Sequence, residues 1–284
     1  MGRNASEVLI FSLRLYLLEY VMTVSIVLGT YNWKEALEMV LISASRQTVI
    51  PDEVVVADDG SREDTRQLIE RMQATMPYKL KHAWQEDIGY RLAMAVNRAF
   101  SMCTSDYVIT IGGDCIMEEH FVEDHLRNAK RGYYLSGSRS KFTPMLNEQV
   151  FANHDYALHV WTPGLTRRLN ALRLPWLTPF FYGYKQNGLD RGCNMSFWRD
   201  DIYAVNGYDG DMIGYGSEDT DFSARLRQMG VKKRFVKFSC IEYHIYHDET
   251  PSKHNEELRR HNIELRESNA RNGVIRIKNG IDQF

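Results

Sequence analysis

The chain has 284 residues, enough for one large domain or two closely joined ones with a substantial core. A formal net charge of -2 with ordinary apolar and charged fractions gives no global signature of nucleic-acid binding. Four cysteines form no Cys-x-x-Cys pair, so neither a zinc ribbon nor a disulfide framework is indicated. Reduced thiols in a cytosolic protein are the simplest interpretation.

Residues 1–21 form an unusual opening segment. The stretch EVLIFSLRLYLLEYVM is apolar but too short to span a bilayer, and Arg14 and Glu19 interrupt it. A secretory signal would need a cleaner apolar core and a small-residue cleavage site. These features favour an N-terminal helical extension, or a domain that begins at Met22, over a weak membrane-surface contact.

The first half of the chain alternates between buried strands and amphipathic helices. Apolar, β-branched runs predict three strands: TVSIVLGTYN, EVVVADDGS and DYVITIGGDC. Helical spacing and first-turn acids predict three helices: WKEALEMVLISASRQ, REDTRQLIERMQ and GYRLAMAVNRAFSMC. The order strand, helix, strand, helix, helix, strand predicts an α/β fold with a mostly parallel central sheet flanked by helices.

Polar residues follow each predicted strand of this sheet. Thr30, Tyr31 and Asn32 follow the first, Asp58 and Asp59 end the second, and Asp114 follows the third. Ligands of open α/β sheets bind at the carboxyl ends of the strands, so one ligand site is expected there. Neither the Gly-x-Gly-x-x-Gly fingerprint nor a P-loop follows the first strand.

The second half is less regular. Residues 132–184 are rich in aromatics, proline and glycine, which suits a mobile lid. The stretch GYGSEDTDFSARLRQMG places three acids at the start of a helix whose apolar stripe is Phe222, Leu226 and Met229. VKKRFVKFSCIEYHIYH predicts one or two strands, and NEELRRHNIELRESNARNG predicts a charged helix with Leu258 and Leu265 towards the body.

Several motifs, in a fixed order, resemble one enzyme family. They are VSIVLGTYNWKEALEMVLISASRQTVIPDEVVVADDGS, then QEDIGYRLAMAVNRAF and YVITIGGDCI, and finally RGCNMSFWRDDIYAVNGYDGDMIGYGSEDTDFSARLRQMG. The first three resemble family 2 glycosyltransferases, inverting enzymes of the GT-A fold that use nucleotide sugars. The last resembles the galactosyltransferase-type C-terminal segment of some members. The resemblance implies a Rossmann-like nucleotide-sugar-binding half at 22–131 and an acceptor-binding and catalytic half at 132–250. The residue pattern predicts a helical tail at 251–284.

The resemblance also implies a donor site. It assigns donor binding to Thr30, Tyr31, Asn32, Asp58, Asp59, Arg91, Gly113 and Asp114. Thr30 and Tyr31 would line the base pocket, and one of the two neighbouring aspartates would accept the uracil N–H in a charge-assisted hydrogen bond. Arg91 would offset the charge of the diphosphate. Ordinary turn chemistry at Asp-Gly-Ser and a solvated arginine remain the alternatives.

The motif GGDC departs from the family pattern. The family carries Asp-x-Asp here, and Gly112 replaces the first aspartate while Asp114 retains the second. The second acid of the family holds the divalent metal ion, so metal binding survives and ribose recognition is in doubt. The resemblance adds His247 and His244 as metal ligands, and a mixed carboxylate–imidazole set suits Mn²⁺ better than Mg²⁺.

Catalysis is expected at the acidic stretch. Inverting transfer requires a carboxylate that takes the proton of the acceptor hydroxyl, and the family pattern assigns this general base to Asp219. Asn194, Gly216 and Glu218 are the predicted acceptor-binding residues. The alternative is that acids merely suit the first turn of a helix.

The sequence thus predicts a metal-dependent inverting glycosyltransferase that moves a sugar from a UDP-linked donor to a saccharide or lipid-linked acceptor. We expect a bacterial cytoplasmic enzyme of polysaccharide biosynthesis, with peripheral contact at the inner face of the membrane and no nucleic-acid partner. One alternative is a sugar-nucleotide nucleotidyltransferase, although its glycine-rich basic loop is missing. Another, motivated by Gly112, is a nucleotide-sugar-binding protein with little turnover.

Overall fold

The structure, a computed structural model, describes residues 22–154, 156–186, 190–248 and 255–284. The predicted N-terminal extension at 1–21 lies outside these ranges. Across them, no helix has both the length and the apolar character needed to cross a bilayer.

A seven-stranded sheet organises the molecule, in the order β10-β6-β9-β4-β1-β2-β3. Its strands are β1 (Val24–Thr30), β2 (Glu53–Asp58), β3 (Lys79–Trp84), β4 (Tyr107–Gly112), β6 (Tyr133–Ser136), β9 (Asn194–Trp198) and β10 (Lys232–Phe235). The first four are parallel, and β9 runs antiparallel between β4 and β6. Strands of the two predicted halves therefore share one sheet.

A smaller sheet stands beside the first. It has four strands in the order β5-β11-β7-β8: β5 (Cys115–Met117), β11 (Glu242–His244), β7 (Arg139–Phe142) and β8 (Leu165–Thr166). Because β5 begins just after β4 ends, this sheet extends from the carboxyl edge of the parallel strands, where the ligand site is expected.

Eight α-helices of the described residues complete the fold. They are α1 (Lys34–Ser45), α2 (Glu63–Gln73), α3 (Leu92–Met102), α4 (Phe121–Asn128), α5 (Pro144–Asn153), α6 (Arg199–Ala204), α7 (Glu218–Gln228) and α8 (Glu256–Arg271). Short 3-10 helices cover Arg168–Asn170, Thr178–Phe181 and Ile281–Gln283.

Alternate residues of the central strands face two different hydrophobic cores. On β1, Ile26 and Leu28 pack in one core with Leu37 of α1. Val27 points to the other core, which contains Phe100 of α3 and Phe222 of α7. Burial of both faces explains the continuous apolar runs of these strands and confirms the predicted helix-flanked parallel sheet.

The structure differs from the sequence prediction in three elements. Strand β3 was not predicted, and α3 begins at Leu92 rather than at Gly89. The irregular stretch 132–184 contains strands β6, β7 and β8 and helix α5. The predicted tail helix is present: Leu258 and Leu265 are half-buried, and its most buried side chains are Asn262 and Asn269.

Candidate active site

Asp58 is an internal structural residue at the end of β2. Its side chain is fully buried. One carboxylate oxygen accepts the Ser61 N–H at 2.7 Å, and the other lies 2.8 Å from His82 Nε2 on β3. Asp58 therefore fixes the turn after β2 and ties β2 to β3, which is the turn-forming role that the Asp-Gly-Ser motif predicts.

Asp59 connects the end of β2 to the start of α3. Its Oδ1 accepts from Gln85 Nε2 at 2.6 Å and its Oδ2 accepts from the Arg91 N–H at 2.7 Å. Burial raises the pKa of Asp59 to about 6 despite these hydrogen bonds. Each carboxylate oxygen has a second lone pair, so Asp59 is the better candidate of the two aspartates for a ligand N–H.

Tyr31 and Asn32 extend the same edge of the sheet. Tyr31 is 53% exposed, and its hydroxyl donates to Asp87 Oδ2 at 2.9 Å. Asn32 has the unusual φ of 50° and accepts the Arg62 N–H, which shapes the turn after β1. Asp87 escaped the sequence analysis because the preceding strand β3 was missed.

Arg91 lies at the N-terminus of α3 and not on its surface, as the helix prediction implied. It is the residue that precedes the first helical turn, and its backbone N–H is bound by Asp59. Among the residues that the structure describes, Arg91 Nε is buried without a hydrogen-bond partner. A guanidinium donor and a helix N-terminus together suit an anionic ligand such as a phosphate.

The glycines of GGDC are fitted closely against their neighbours. Gly113 donates its N–H to Gly29 O at 2.8 Å, and a Cβ at Gly113 would lie only 2.5 Å from that oxygen. A Cβ at Gly112 would lie 2.5 Å from Asp114 Oδ1. The first aspartate of the family motif therefore cannot be placed at Gly112 without moving Asp114.

Asp114, His244 and His247 converge and form what we call the Asp114 triad. Asp114 Oδ2 lies 3.2 Å from His244 Nε2 and 3.1 Å from His247 Nε2. Asp114 leads into β5 and His244 ends β11, and these antiparallel neighbours bring the two side chains together. The sequence prediction named all three residues, and the structure brings them to one place.

The Asp114 triad fits a divalent metal ion. One donor atom from each residue lies within 4.8 Å of the other two. Burial opposes ionisation of Asp114, but hydrogen bonds and positive charge from the two histidines outweigh it and lower the pKa of Asp114 below its usual range. One carboxylate and two imidazoles are a donor set that Mn²⁺ accepts.

Asp221 is the structural member of the three acids on α7. It is buried and pairs with Arg225 Nε at 2.6 Å, one helical turn away. Arg225 in turn donates to Val205 O and Gly207 O, and Asp221 accepts from Asn269 of α8. This buried network fixes α7 to its neighbours and leaves Glu218 and Asp219 for other roles.

Glu218 and Asp219 occupy the first turn of α7 and are half-buried. Asp219 Oδ2 accepts the Gly192 N–H at 2.8 Å, and its Oδ1 accepts the Thr220 N–H. Burial raises the pKa of Asp219 to about 6. Burial, with the charge of Asp219 second, raises the pKa of Glu218 to about 8, and Glu218 Oε2 has no partner among the described residues.

The loop before α7 is held in a left-handed backbone conformation. Gly214, Gly216 and Ser217 have φ values of 85°, 101° and 81°. Glycine adopts such angles readily, whereas Ser217 does so only because its surroundings impose it. Asn262 of α8 provides part of this restraint, since its amide donates to Gly216 O at 3.0 Å.

A short segment, Gly192–Cys193, lies between Asp219 and the Asp114 triad. Gly192 binds Asp219, and the Cys193 sulfur lies within 4.8 Å of the sulfur of Cys115, the residue after Asp114. Asp219 and the Asp114 triad therefore flank the same two residues. Sequence reasoning missed this segment because neither residue type signals catalysis.

Asn194 and Gly216 were predicted to bind the acceptor. Asn194 is buried, and its amide donates to Ser138 O and Cys240 O, so packing accounts for this residue. Gly216 lies in the loop directly before Glu218, where a Cβ would meet nothing within 4 Å. Gly216 and Glu218 are thus neighbours at the site, whereas Asn194 supports it from within.

Family models identify the chain. The model for glycosyl transferase family 2 matches residues 25–188, more than half of the sequence. This chain belongs to glycosyl transferase family 2. The model described as the N-terminal domain of galactosyltransferase matches residues 178–248, where α7 and the two histidines lie. The predicted family and its transferase class are confirmed.

Curated relatives of this family 2 chain are distant. It is 25% identical over 236 residues to validoxylamine A glucosyltransferase of Streptomyces hygroscopicus subsp. limoneus, covering 75% of the chain and 49% of the relative. It is 26% identical over 255 residues to chondroitin synthase of Escherichia coli, covering 81% of the chain and 35% of the relative. The chain thus spans half or less of these relatives' length.

Solved structures confirm the GT-A fold. The mannosyltransferase PcManGT from Pyrobaculum calidifontis, in complex with GDP-Man and Mn²⁺, matches with a TM-score of 0.61 and 18% identity. That match covers 89% of this chain and 65% of the other. S. aureus TarS matches with a TM-score of 0.60 and 14% identity, covering 87% of this chain and 39% of TarS.

Proposed function

We propose that the chain transfers a sugar from a nucleotide sugar to a saccharide or lipid-linked acceptor, with inversion at the anomeric carbon. The observation that carries this proposal is the placement of Asp219 and the Asp114 triad on either side of Gly192–Cys193. Inversion is a single displacement that needs a base at the attacking hydroxyl and positive charge at the leaving diphosphate. The two groups supply these two requirements.

Asp219 acts as the general base in this proposal. Its pKa of about 6 leaves it ionised near neutral pH, yet more basic than an exposed aspartate. Glu218, with a pKa of about 8, keeps its proton at neutral pH and can donate a hydrogen bond to a substrate hydroxyl. This difference assigns proton transfer to Asp219 and substrate binding to Glu218.

Positive charge comes from two sources. Asp114, His244 and His247 would hold Mn²⁺, which stabilises the negative charge of the departing nucleoside diphosphate when it is bound. Arg91 offers its buried Nε and the start of α3 to the same phosphates. Because the Asp114 triad retains a full ligand set, Gly112 in place of the family's first aspartate does not remove the metal function.

We propose a UDP-linked donor. Asp59 can accept the uracil N–H, while Thr30 and Tyr31 provide the neighbouring surface at the end of β1. TarS has been solved in complex with UDP and PcManGT in complex with GDP-Man, so both bases occur on this fold. A thermal-shift screen of UDP- and GDP-sugars with Mn²⁺ distinguishes them, because a ligand of the native state raises its melting temperature.

We further propose a cytoplasmic role in polysaccharide biosynthesis, with contact at the inner face of the membrane. The supply of nucleotide sugars in the cytosol and the relative named chondroitin synthase support this assignment. Cell fractionation should find the protein in the cytoplasmic and peripheral membrane fractions. Its recovery from the secreted fraction would contradict the assignment.

Steady-state kinetics on two variants test the proposed base. Asp219→Asn preserves shape and removes basicity, so turnover should fall by at least about 100-fold, the lower bound of typical general-base contributions. Donor affinity should hardly change, because the lost interaction belongs to the transition state. Glu218→Gln should mainly raise the Michaelis constant for one sugar substrate.

The two variants control for each other. Turnover near that of the wild type in Asp219→Asn would refute the base assignment. A far greater loss of turnover in Glu218→Gln than in Asp219→Asn would transfer the base to Glu218. Release of UDP only when an acceptor is present separates sugar transfer from binding without turnover.

A further inference from the structure

Two cysteines and a glutamate meet next to the Asp114 triad without taking part in the proposed reaction. The donor atoms of Cys115, Cys193 and Glu242 all lie within 4.8 Å of one another. Cys115 and Glu242 are fully buried and Cys193 is half-buried. We call these three residues the Cys115 cluster. The sequence gives no hint of it, because the three residues are far apart in the chain and form no Cys-x-x-Cys motif.

Packing alone does not explain the burial of the Glu242 carboxylate. Its side chain is fully buried, yet neither carboxylate oxygen accepts a hydrogen bond from a nitrogen or oxygen donor of the described residues. The Cys193 thiol and the Arg139 guanidinium are the groups near this carboxylate. Burial of a carboxylate without charge compensation is costly, so such groups are usually paired or bound to a metal ion.

Arg139 lies beside the cluster and contributes one positive charge next to its acidic groups. Its Nη1 donates to Cys193 Sγ at 3.2 Å, and Arg139 and Glu242 are register partners on β7 and β11. Two thiolates and one carboxylate carry three negative charges, which a divalent cation and one guanidinium would neutralise. A hydrogen bond to a ligating thiolate is also the usual outer contact of a metal site.

We propose that Cys115, Cys193 and Glu242 bind a zinc-class divalent cation, at a site distinct from the Asp114 triad. Two sulfur ligands select a soft or borderline ion such as Zn²⁺ over Mn²⁺ or Mg²⁺. In a tetrahedral zinc site with bonds of about 2.3 Å, two sulfurs lie roughly 3.8 Å apart, within the span of this cluster. Each thiol releases its proton to solvent when it binds the ion.

The place of this site in the fold suggests a structural role. Cys115 and Glu242 belong to β5 and β11 of the small sheet, whereas Cys193 directly precedes β9 of the large sheet. A bound ion would therefore join the two sheets. It would also fix Gly192 relative to Asp114, because Gly192 precedes the ligand Cys193 and Asp114 precedes the ligand Cys115. Asp219 would be fixed through its hydrogen bond with the Gly192 N–H.

Cobalt spectroscopy on the full chain tests the site directly. The reduced, chelator-treated protein is titrated with Co²⁺, which should give thiolate-to-cobalt charge-transfer absorption and the strong visible bands of tetrahedral cobalt. One equivalent of Zn²⁺ per protein chain should displace the cobalt ion and remove these bands. Cys115→Ser and Cys193→Ser each leave one thiolate and should reduce the charge-transfer absorption by about half or more. Glu242→Gln should weaken Zn²⁺ binding, because it removes an anionic ligand.

Two controls separate this site from others. Cys103→Ser changes a buried thiol at the end of α3, whose Sγ donates to Ala99 O, and should leave the cobalt spectrum unchanged. His247→Ala removes a ligand of the Asp114 triad and should also retain the thiolate bands. Loss of the thiolate bands in His247→Ala would show that the two sites are one and would overturn the proposal.

An alkylation experiment on the wild-type protein tests the site even if a variant fails to fold. Zn²⁺ should protect Cys193 of the wild-type protein from iodoacetamide, mapped by mass spectrometry, while Mn²⁺ should not. The proposal fails if reduced wild-type protein shows no thiolate-to-cobalt absorption, or if Zn²⁺ leaves the alkylation of Cys193 unchanged. These outcomes are independent of sugar transfer and leave the proposed function untouched.

Discussion

Three acids within four positions of one helix have three different environments. Asp221 is neutralised by Arg225 inside the protein, whereas Asp219 is held by backbone N–H groups and Glu218 has an unpartnered buried oxygen among the described residues. Since burial raises the pKa of Asp219 and of Glu218, each is stabilised in its protonated form. Ionisation of Asp219, which the proposed base role requires, therefore costs folding free energy.

This cost predicts a pH-dependent gain of stability in a double variant. Folded-state pKa values of about 6 for Asp219 and about 8 for Glu218 exceed the ordinary values of 3.8 and 4.5. The native state thus binds protons more tightly than the unfolded state, and the contribution to stability is lost as pH rises from about 4 to about 8. Glu218→Gln/Asp219→Asn should melt higher than the wild type at pH 8 and equally at pH 4.

Melting temperatures measured in steps between pH 4 and pH 8 check this expectation. Asp200→Asn is the control, because Asp200 lies on the exposed start of α6 and pairs with Arg131 at the surface. If the double variant melted higher than the wild type by the same amount at every pH, burial of Glu218 and Asp219 would not control their titration.

The position of the Asp114 side chain leaves little room for a side chain at residue 112. A Cβ at Gly112 would lie 2.5 Å from Asp114 Oδ1 and 3.3 Å from Cys115 Sγ. Gly112→Asp, which recreates the family motif, should therefore weaken Mn²⁺ binding, by roughly 5- to 150-fold if the misfit costs about 1–3 kcal/mol. Titration calorimetry with Mn²⁺ measures the affinity.

Gly112→Ala separates the added carbon from the added charge. If the steric argument holds, alanine and aspartate weaken Mn²⁺ binding alike, while Gly183→Ala, where a Cβ would meet nothing within 4 Å, has no effect. Tighter Mn²⁺ binding in Gly112→Asp than in the wild type would show that the missing acid is a lost ligand.

Sequence reasoning could propose residues that the family motifs relate, even across a long stretch of chain, but not roles that depend on contacts outside those motifs. The Asp114 triad could be named because its spacing follows a known pattern. The buried roles of Asp58 and Asn194 could not, because their partners His82 and Cys240 are 24 and 46 residues away. A polar residue at a strand end is equally consistent with a ligand contact and with a buried hydrogen bond.

At the scale of elements, α8 is more than a charged tail. Its fully buried side chains are two asparagines, and both reach α7 or the loop before it. Asn262 donates to Ile213 O and Gly216 O, and Asn269 donates to Asp209 and Asp221. Helix α8 therefore restrains the left-handed loop that presents Glu218 and Asp219.

Asn262→Ala should impair catalysis, although Asn262 is not among the residues proposed to contact the substrates. Removing the amide takes its hydrogen bonds away from the Ile213 and Gly216 carbonyls, which belong to half-buried residues, at a cost of about 1–3 kcal/mol, and frees the loop before Glu218. Turnover should fall while the affinity for the sugar donor, measured by calorimetry, stays unchanged. The residues proposed to bind the donor lie at the ends of strands β1, β2 and β4, away from this loop. The melting temperature should fall as well.

Glu264→Ala is the matched control, since Glu264 is exposed on the same helix. It should change neither turnover nor melting temperature. If Asn262→Ala lowers the melting temperature but keeps full turnover, α8 stabilises the fold without positioning the acids.

Strand β3 shows which elements escape sequence analysis. In Lys79–Trp84 only Leu80 and Ala83 are buried, and they are three residues apart, so the strand lacks both an apolar run and regular alternation. It lies at the edge of the sheet and pairs with β2 alone among the described strands. Central strands β1, β2 and β4 were predicted because both of their faces are buried.

At the scale of the whole molecule, the Asp114 triad joins the two predicted halves. Asp114 follows β4 of the first predicted half, and His244 and His247 belong to the second. A metal ion bound there would contact residues that are 130 or more positions apart and that unfolding would separate. Metal binding would therefore be coupled to the stability of the complete fold.

Mn²⁺ should stabilise the protein, and the effect should depend on residues from both halves. At 100 times its Kd, an ion that binds only the native state adds about 2.7 kcal/mol to the free energy of unfolding. Asp114→Ala and His247→Ala should each abolish this gain, together with the Mn²⁺-dependent part of UDP affinity. His261→Ala, an exposed histidine on α8, should retain both. Thermal unfolding with and without Mn²⁺, and UDP titrations under the same conditions, measure the two effects. If His247→Ala were stabilised by Mn²⁺ as much as the wild type, His247 would not be a metal ligand, and only Asp114 and His244 of the triad could hold the ion.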